Sequence, residues 1–289
     1  MKMKKLATIL LVVLMVLGAV ACAQPAATTE PAPTEAPAAP AEDASADGPA
    51  MAKIKASGKL VVGTEAQYAP FEFKDLEANF VGCDMWMAAK IAESLGVTLE
   101  VVDMSFDGII PAVKSGQVDL GIAAFTKTEE RALEIDFTDI YQRDQQLLIV
   151  KKGNEELYAT KDALKGLKLG AQKGTIQSLL IQSALPECEL FELAKYPALA
   201  MEVAQGNIAG LVVDGAVGES LVATNPDIVV SKFEFTPEEA DFGKAIVVAK
   251  GNEDLVAAAN VVIQQITEDG SFEQAFEDAK ALAATLGIE

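Results

Sequence analysis

Ser115-Gly116-Gln117-Val118-Asp119-Leu120 marks a step from helix to strand, and Gln205-Gly206-Asn207-Ile208-Ala209-Gly210-Leu211 repeats that step further along. In each, a glycine stops a helical pattern and an apolar run opens a buried strand. The flanking sequence repeats in the same order. Before the first step come a short strand, Leu60-Val61-Val62-Gly63, and a helix from Asp84 to Leu95. That helix places Met85, Ala88, Ala92 and Leu95 on one face, with Asp84 as its N-cap and Gly96 as its stop. A strand over 97–102 and a helix over 106–114 follow. Pro111 falls inside that helix and implies strain or a late start. The strand predicted over 118–124 completes the unit. The second unit opens at Gly166-Leu167-Lys168-Leu169-Gly170, which matches 58–63 in character. It continues with a helix over 175–185 ended by Pro186, a strand over 188–193, a helix over 197–205 and a strand over 211–214. Strands alternating with helices predict α/β lobes, each with a largely parallel open sheet and helices on both faces.

Two extended apolar runs link the units. Residues 146–154 and 244–252 both end in Lys-Gly-Asn, and the second echoes the first. They predict that the chain crosses between the lobes twice, forming a hinge. The expected organisation is a first lobe of 53–146 plus 246–289, and a second lobe of 147–245 that includes the hinge strands. Residues 252–289 read as two helices, broken at Gly270 and returning to the first lobe.

The segments before residue 53 read differently. Lys2, Lys4 and Lys5 precede an apolar run from Leu6 to Ala21. The run is short for a membrane span and fits a secretory signal over 1–21. It ends Ala19-Val20-Ala21-Cys22, and small residues before a cysteine resemble the bacterial lipobox, which implies lipidation at Cys22. An ordinary cleavage site after Ala21 is the alternative. Residues 22–52 are rich in Ala, Pro and acids, a composition that predicts a disordered tether.

Composition narrows the chemistry. The 289 residues carry 43 acids against 23 bases, a net charge of −20, and no histidine. Such a chain is a poor nucleic-acid binder, because phosphates need clustered Lys and Arg. Without histidine there is no Ser-His-Asp or Cys-His machinery. Cys22, Cys83 and Cys188 are too far apart in sequence for a zinc-thiolate cluster, and Cys83 and Cys188 read as free, buried thiols. No metal site or cofactor is expected, since Glu129-Glu130, Glu155-Glu156 and Glu238-Glu239 lack the spacing of a calcium loop.

Several motifs now carry a resemblance. They are Gly63-Thr64-Glu65-Ala66-Gln67-Tyr68-Ala69-Pro70-Phe71-Glu72-Phe73, Val81-Gly82-Cys83-Asp84, Phe106-Asp107-Gly108-Ile109-Ile110-Pro111-Ala112 and Thr126-Lys127-Thr128-Glu129-Glu130-Arg131. With Phe137-Thr138-Asp139 and Leu164-Lys165-Gly166, their order resembles the extracytoplasmic solute-binding proteins of ABC importers, in the polar amino acid family. Cys83 stands where that family usually has an aromatic, and Ile176 where it usually has a second threonine. The resemblance covers about 53–289. It implies a two-lobed periplasmic-binding-protein fold with two hinge strands (type II). It also implies a lipid-anchored, extracytoplasmic monomer that binds a polar or basic amino acid and delivers it to a membrane permease.

The chemistry of a free amino acid assigns roles to the matching positions. Arg131 suits the carboxylate, because a planar guanidinium donates two parallel hydrogen bonds. The loop Ala124-Phe125-Thr126 offers a carbonyl, an N–H and a hydroxyl nearby. Asp214, at a strand end in the second lobe, suits the ammonium group. The helix opened by Thr175 and Ile176 presents free N–H groups to the carboxylate. The resemblance makes Tyr68 and Phe106 the walls around the ligand side chain, with Glu65 and Gln172 reading its end. A carboxylate at 65 favours a cationic or amide end group. Other readings stand beside these: Arg131 as a solvated helix residue, Asp214 as a helix cap, Tyr68 and Phe106 as core, Glu65 as a loop acid. Two other functions remain open: a dehydratase of the cyclohexadienyl type on the same fold, with Glu65 as proton donor, and an amino-acid-sensing or adhesive ectodomain.

Overall fold

A computed structural model describes residues 47–240 and 242–288. The expected signal segment, Cys22 and most of the expected tether lie outside the described residues.

Two five-stranded sheets share one plan. In the first, the spatial order is Thr98–Asp103, Lys59–Thr64, Leu120–Gly121, Val247–Val248, Asp136–Phe137. In the second it is Glu189–Leu193, Lys168–Gln172, Gly210–Asp214, Gln146–Lys151, Ile228–Val230. The first three strands of each are parallel and the fourth is antiparallel. In each sheet the first of the three parallel strands in chain order has the second on one side and the third on the other. This is a switch point, where a crevice opens at the carboxyl ends of the strands.

The strand cores are apolar on both faces, as helix-covered parallel strands require. In the first sheet Leu60 and Val62 join Met87, Ala88 and Ile91 of the helix Cys83–Ser94. Val61 points the other way, toward Ile109 and Val113 of the helix Phe106–Lys114. That helix starts at Phe106 and runs through Pro111, so the late start offered as one alternative there does not occur. In the second sheet Leu169 and Ala171 pack with Leu180 and Ile181 of the helix Ile176–Ala184. The terminal helices Glu253–Glu268 and Ser271–Leu286 cover the helix Cys83–Ser94, and the last of them also touches the helix Gly215–Thr224 of the second lobe.

The crossing lies slightly upstream of where the sequence pattern puts it. Gln142–Asp144 pairs antiparallel with Phe242–Lys244 in a separate two-stranded ribbon. The chain leaving this ribbon at 144 becomes the antiparallel strand of the second sheet. The chain leaving it at 244 becomes that of the first. The apolar runs at 146–151 and 247–248 are therefore sheet strands, and the hinge is the more polar ribbon before them.

Four local expectations change. The helix Pro49–Ser57 begins inside the segment expected to be tether. Pro49 starts it, buried Met51 and Ile54 anchor it, and its entry is bonded to Asp254 and Asn252. Asp84 is not an N-cap, because the helix starts at Cys83 with Gly82 in that position. Gly82 has φ +116°, and a Cβ there would lie 2.2 Å from the Phe71 carbonyl oxygen, so only glycine fits. The strand expected over 118–124 shrinks to Leu120–Gly121, and Ala123 and Ala124 belong to a loop. Cys83 is buried, whereas Cys188 is only partly so.

Candidate functional site

The crevice lies where both sheets present their strand ends. It is lined by Glu65, Tyr68, Glu72, Phe106, Ala123, Ala124, Thr126 and Arg131 from the first lobe, and Gln172, Thr175, Ile176, Gln177 and Asp214 from the second. Their atoms border about 310 Å³ of empty space, part of it open to solvent. All ten positions that sequence reading singled out around a ligand therefore line one cavity. Glu72, Ala123 and Gln177 join them without having been singled out.

Arg131 sits in the short helix Glu129–Ala132, whose N-cap Thr128 accepts from the Arg131 N–H. Its Nη1 donates to the Thr126 carbonyl at 2.8 Å, and its Nη2 crosses the cleft to the Gly174 carbonyl at 3.0 Å. Phe106 and Phe125 stack at 4.6 Å between centroids, and the guanidinium lies over both rings. Burial lowers the guanidinium to about 10, so it stays charged at neutral pH. Among the described residues no carboxylate lies within ion-pair distance of it. A carbonyl neutralises no charge, so only Glu130, beyond contact distance, offsets this cation.

Asp214 occupies the N-cap position of the helix Gly215–Thr224 but makes no capping bond. The Ala216 N–H donates to Asp144 instead, at 2.9 Å, which frees the Asp214 carboxylate to face the cavity. There it accepts from Tyr68 Oη, Gln146 Nε2, Gln177 Nε2 at 3.2 Å and Lys244 Nζ at 2.9 Å. Lys244 is 2% exposed, on the crossing ribbon, with its ammonium over the Phe71 ring. Sequence reading left Asp214 open for a ligand ammonium. The structure adds an internal cation at the same carboxylate, delivered by the hinge.

Behind the cavity wall stands a second buried acidic group. Asp84 Oδ2 accepts from the Ala124 N–H at 2.9 Å and from Tyr141 Oη at 3.0 Å. Ala124 has φ +46°, a conformation disfavoured for a residue with a Cβ. Asp84 thus takes up the Ala124 N–H, one of those in the loop Ala124-Phe125-Thr126, and pins that loop. Burial raises Asp84 to about 6. Burial, and then the Asp84 charge, push Glu72 well above the usual carboxylate range. Glu72 Oε2 and Asp84 Oδ1 have no other donor, so one proton shared between the two carboxyls satisfies both.

The opposite end is set by Glu65, which follows the strand Lys59–Thr64. It is 1% exposed, pairs across the cleft with Lys195 and accepts from Gln172 Nε2 at 3.2 Å. Burial raises its pKa against the pull of Lys195 and Gln172. Tyr68 does double duty: its ring packs on Tyr196 of the second lobe at 5.1 Å, and its hydroxyl reaches Asp214. At the helix Ile176–Ala184, the Thr175 hydroxyl donates to the Gln172 carbonyl at 2.6 Å and caps nothing. The first-turn N–H groups are left without a side-chain cap beside the cavity, where an anion is favoured. Among the described residues no group of three His, Cys, Asp or Glu is placed to hold a metal ion.

Comparisons with known proteins agree with this architecture. The L-cystine-binding protein TcyJ of Escherichia coli strain K12 is 30% identical over 229 residues, covering 79% of this chain and 85% of that protein. Among solved structures, the amino acid ABC transporter substrate-binding protein AbpA from Streptococcus pneumoniae, bound to L-arginine, has a TM-score of 0.78 at 34% identity. That likeness covers 82% of this chain and 99% of AbpA. The ancestral amino acid-binding protein AncCDT-1, a precursor of cyclohexadienyl dehydratase, has a TM-score of 0.72 at 30% identity, over 79% of this chain and 98% of its own. A family model matches residues 60–278, nearly the whole of both lobes, and the chain belongs to the bacterial extracellular solute-binding proteins, family 3.

Proposed function

We propose that the protein binds a single polar amino acid in this cavity and hands it to an ABC importer permease. The observation that carries the reading is the Arg131 guanidinium, half-buried between the lobes over two aromatic rings with no carboxylate among the described residues within ion-pair distance. A ligand carboxylate supplies the missing charge, and the Thr175–Ile176 helix start adds N–H donors to it. The ligand ammonium goes to Asp214, entering the donor set that Tyr68, Gln146, Gln177 and Lys244 now fill. Tyr68 and Phe106 flank the side chain, and Glu65 with Gln172 reads its end. Contacts made by both lobes at once stabilise the closed form over the open one, which is how a ligand shifts such an equilibrium. The names of TcyJ and AbpA support an amino acid as the ligand class and an ABC transporter as the partner.

The same proposal covers the N-terminal segments. Residues 1–21 act as the export signal and Cys22 as the lipid attachment point, which leaves the binding unit, a monomer, tethered outside the membrane. Incorporation of labelled fatty acid in cells, lost in Cys22→Ala, tests the anchor. Isothermal titration with each of the common amino acids tests the ligand class, and an absence of binding to all of them overturns it. A second reading has one observation in its favour. Glu65 is a buried acid whose raised pKa suits a proton donor, on a fold shared with a dehydratase precursor. Incubation with arogenate or prephenate separates the two: product formation supports an enzyme, and unchanged substrate supports a carrier.

A further inference from the structure

The Glu65 end of the cavity is already balanced in charge. Lys195 is the N-cap residue of the helix Tyr196–Gln205, and its ammonium crosses the cleft to Glu65. The backbone that carries it is fixed by Gln172, whose Nε2 bridges Glu65 at 3.2 Å and the Ala194 carbonyl at 2.7 Å. Behind Glu65, Asp103 pairs with Lys74 at 2.6 Å and accepts from the Ala66 N–H at 3.1 Å. Two carboxylates therefore face two ammonium groups.

A ligand whose side chain ends in a cation has two ways to enter. It places a third cation beside Lys195, next to buried Glu65 at the partly exposed mouth of the cavity, or it breaks the Lys195–Glu65 pair and drives Lys195 outward. Both carry a penalty, which the ligand's own ammonium beside Asp214 and Lys244 is spared because it arrives together with a carboxylate. An uncharged carboxamide carries neither. Its N–H donates to Glu65, which has acceptor capacity to spare, and its carbonyl accepts from Lys195, whose ammonium has three hydrogens.

We infer that Lys195 is a specificity-determining residue that excludes cationic side chains, and that the ligand is a carboxamide amino acid, glutamine or asparagine. The inference rests on the amino-acid reading above and narrows it. It also departs from the arginine held by AbpA, so it is sharply testable.

The experiment is isothermal titration of the folded chain with L-glutamine, L-asparagine, L-arginine and L-lysine, for the wild type, Lys195→Met and Lys195→Arg. The wild type should bind an amide at least about tenfold more tightly than either cation. Lys195→Met frees Glu65 and should shift the amide-to-cation ratio by about 100-fold toward the cations, while Lys195→Arg keeps the wild-type order. Tighter binding of arginine or lysine by the wild type overturns the inference, as does a ratio that Lys195→Met leaves unchanged. If Lys195→Met does not fold, the wild-type order and its retention in Lys195→Arg decide. Binding of some other amino acid, with none of these four, refutes the inference and leaves the amino-acid reading standing. Binding of no amino acid refutes both.

Discussion

At one end of the cavity a cation stands without an acid; at the other an acid already has its cation. Arg131 gives its hydrogens to two carbonyls, whereas Glu65 is paired with Lys195. The difference separates two jobs. A half-buried cation with no carboxylate in contact binds an opposite charge with little discrimination, so the Arg131 end supplies affinity for any molecule with a carboxylate. A neutralised pair binds weakly but is selective about what it admits, so the Glu65 end supplies discrimination.

The largest test of that contrast removes the lone cation. Arg131→Ala should raise the dissociation constant at least ~100-fold, from ~3 kcal/mol or more for an unpaired buried charge. Asp214→Ala should do the same and also lower stability, because it strands buried Lys244 without its partner. Titration calorimetry and denaturant melts read the two effects separately. Near-normal binding in either variant removes that residue from the site.

Lys244→Met probes the internal cation at the Asp214 end. It leaves a buried carboxylate unpaired, so the unfolding free energy should fall by about 3 kcal/mol, measured by urea denaturation. An unchanged midpoint means that Lys244 does not hold the hinge to Asp214.

A smaller effect concerns the acid pair that pins the Ala124 loop. Asp84 titrates at about 6 in the folded chain against an ordinary 3.8. The folded state therefore holds more protons than the unfolded state between those values. The stability this confers is full below about 4 and is lost as pH rises through about 6, a decline of roughly 1–3 kcal/mol. Asp84→Asn should make that fall shallower, the remainder coming from Glu72 and Glu65, and a variant profile as steep as the wild type's contradicts the assignment. The smallest expected change is in Phe106→Ala, which removes one ring from beneath Arg131. About 1 kcal/mol, or several-fold in affinity, should be lost, while the order of preference among ligands stays the same.

Much of the fold was legible because its signals are local. Glycine stops at 96 and 206, apolar runs at 60–63 and 211–214, and amphipathic spacing in the last two helices all match the structure. The hinge was placed late because 146–151 and 247–248 are the more apolar stretches. Apolarity marks the strand that enters a sheet, not the ribbon that crosses a cleft. The helix at Pro49 was hidden by a proline-rich composition, although Met51 and Ile54 already had helical spacing.

The site divides along the same line. Residues at strand ends and helix starts, such as Asp214 and Thr175, were readable because topology puts them at the crevice. Lys195 was not, because it reaches Glu65 only across the cleft, nor were Lys244 and Gln177, whose partner Asp214 lies far from each in sequence. Asp84 was misassigned for a related reason. An acid at a helix start has a local explanation as a cap, and nothing nearby in sequence points to the Ala124 N–H that it holds.

The most direct measurement is a thermal-shift screen of the common amino acids against the wild type and Arg131→Ala. Ligand at 100 times its dissociation constant adds about 2.7 kcal/mol, which for a chain of this size is a rise of roughly 5–10 °C in Tm. At least one polar amino acid should produce that rise in the wild type and none in Arg131→Ala. No shift with any amino acid, or an equal shift in both proteins, contradicts the account.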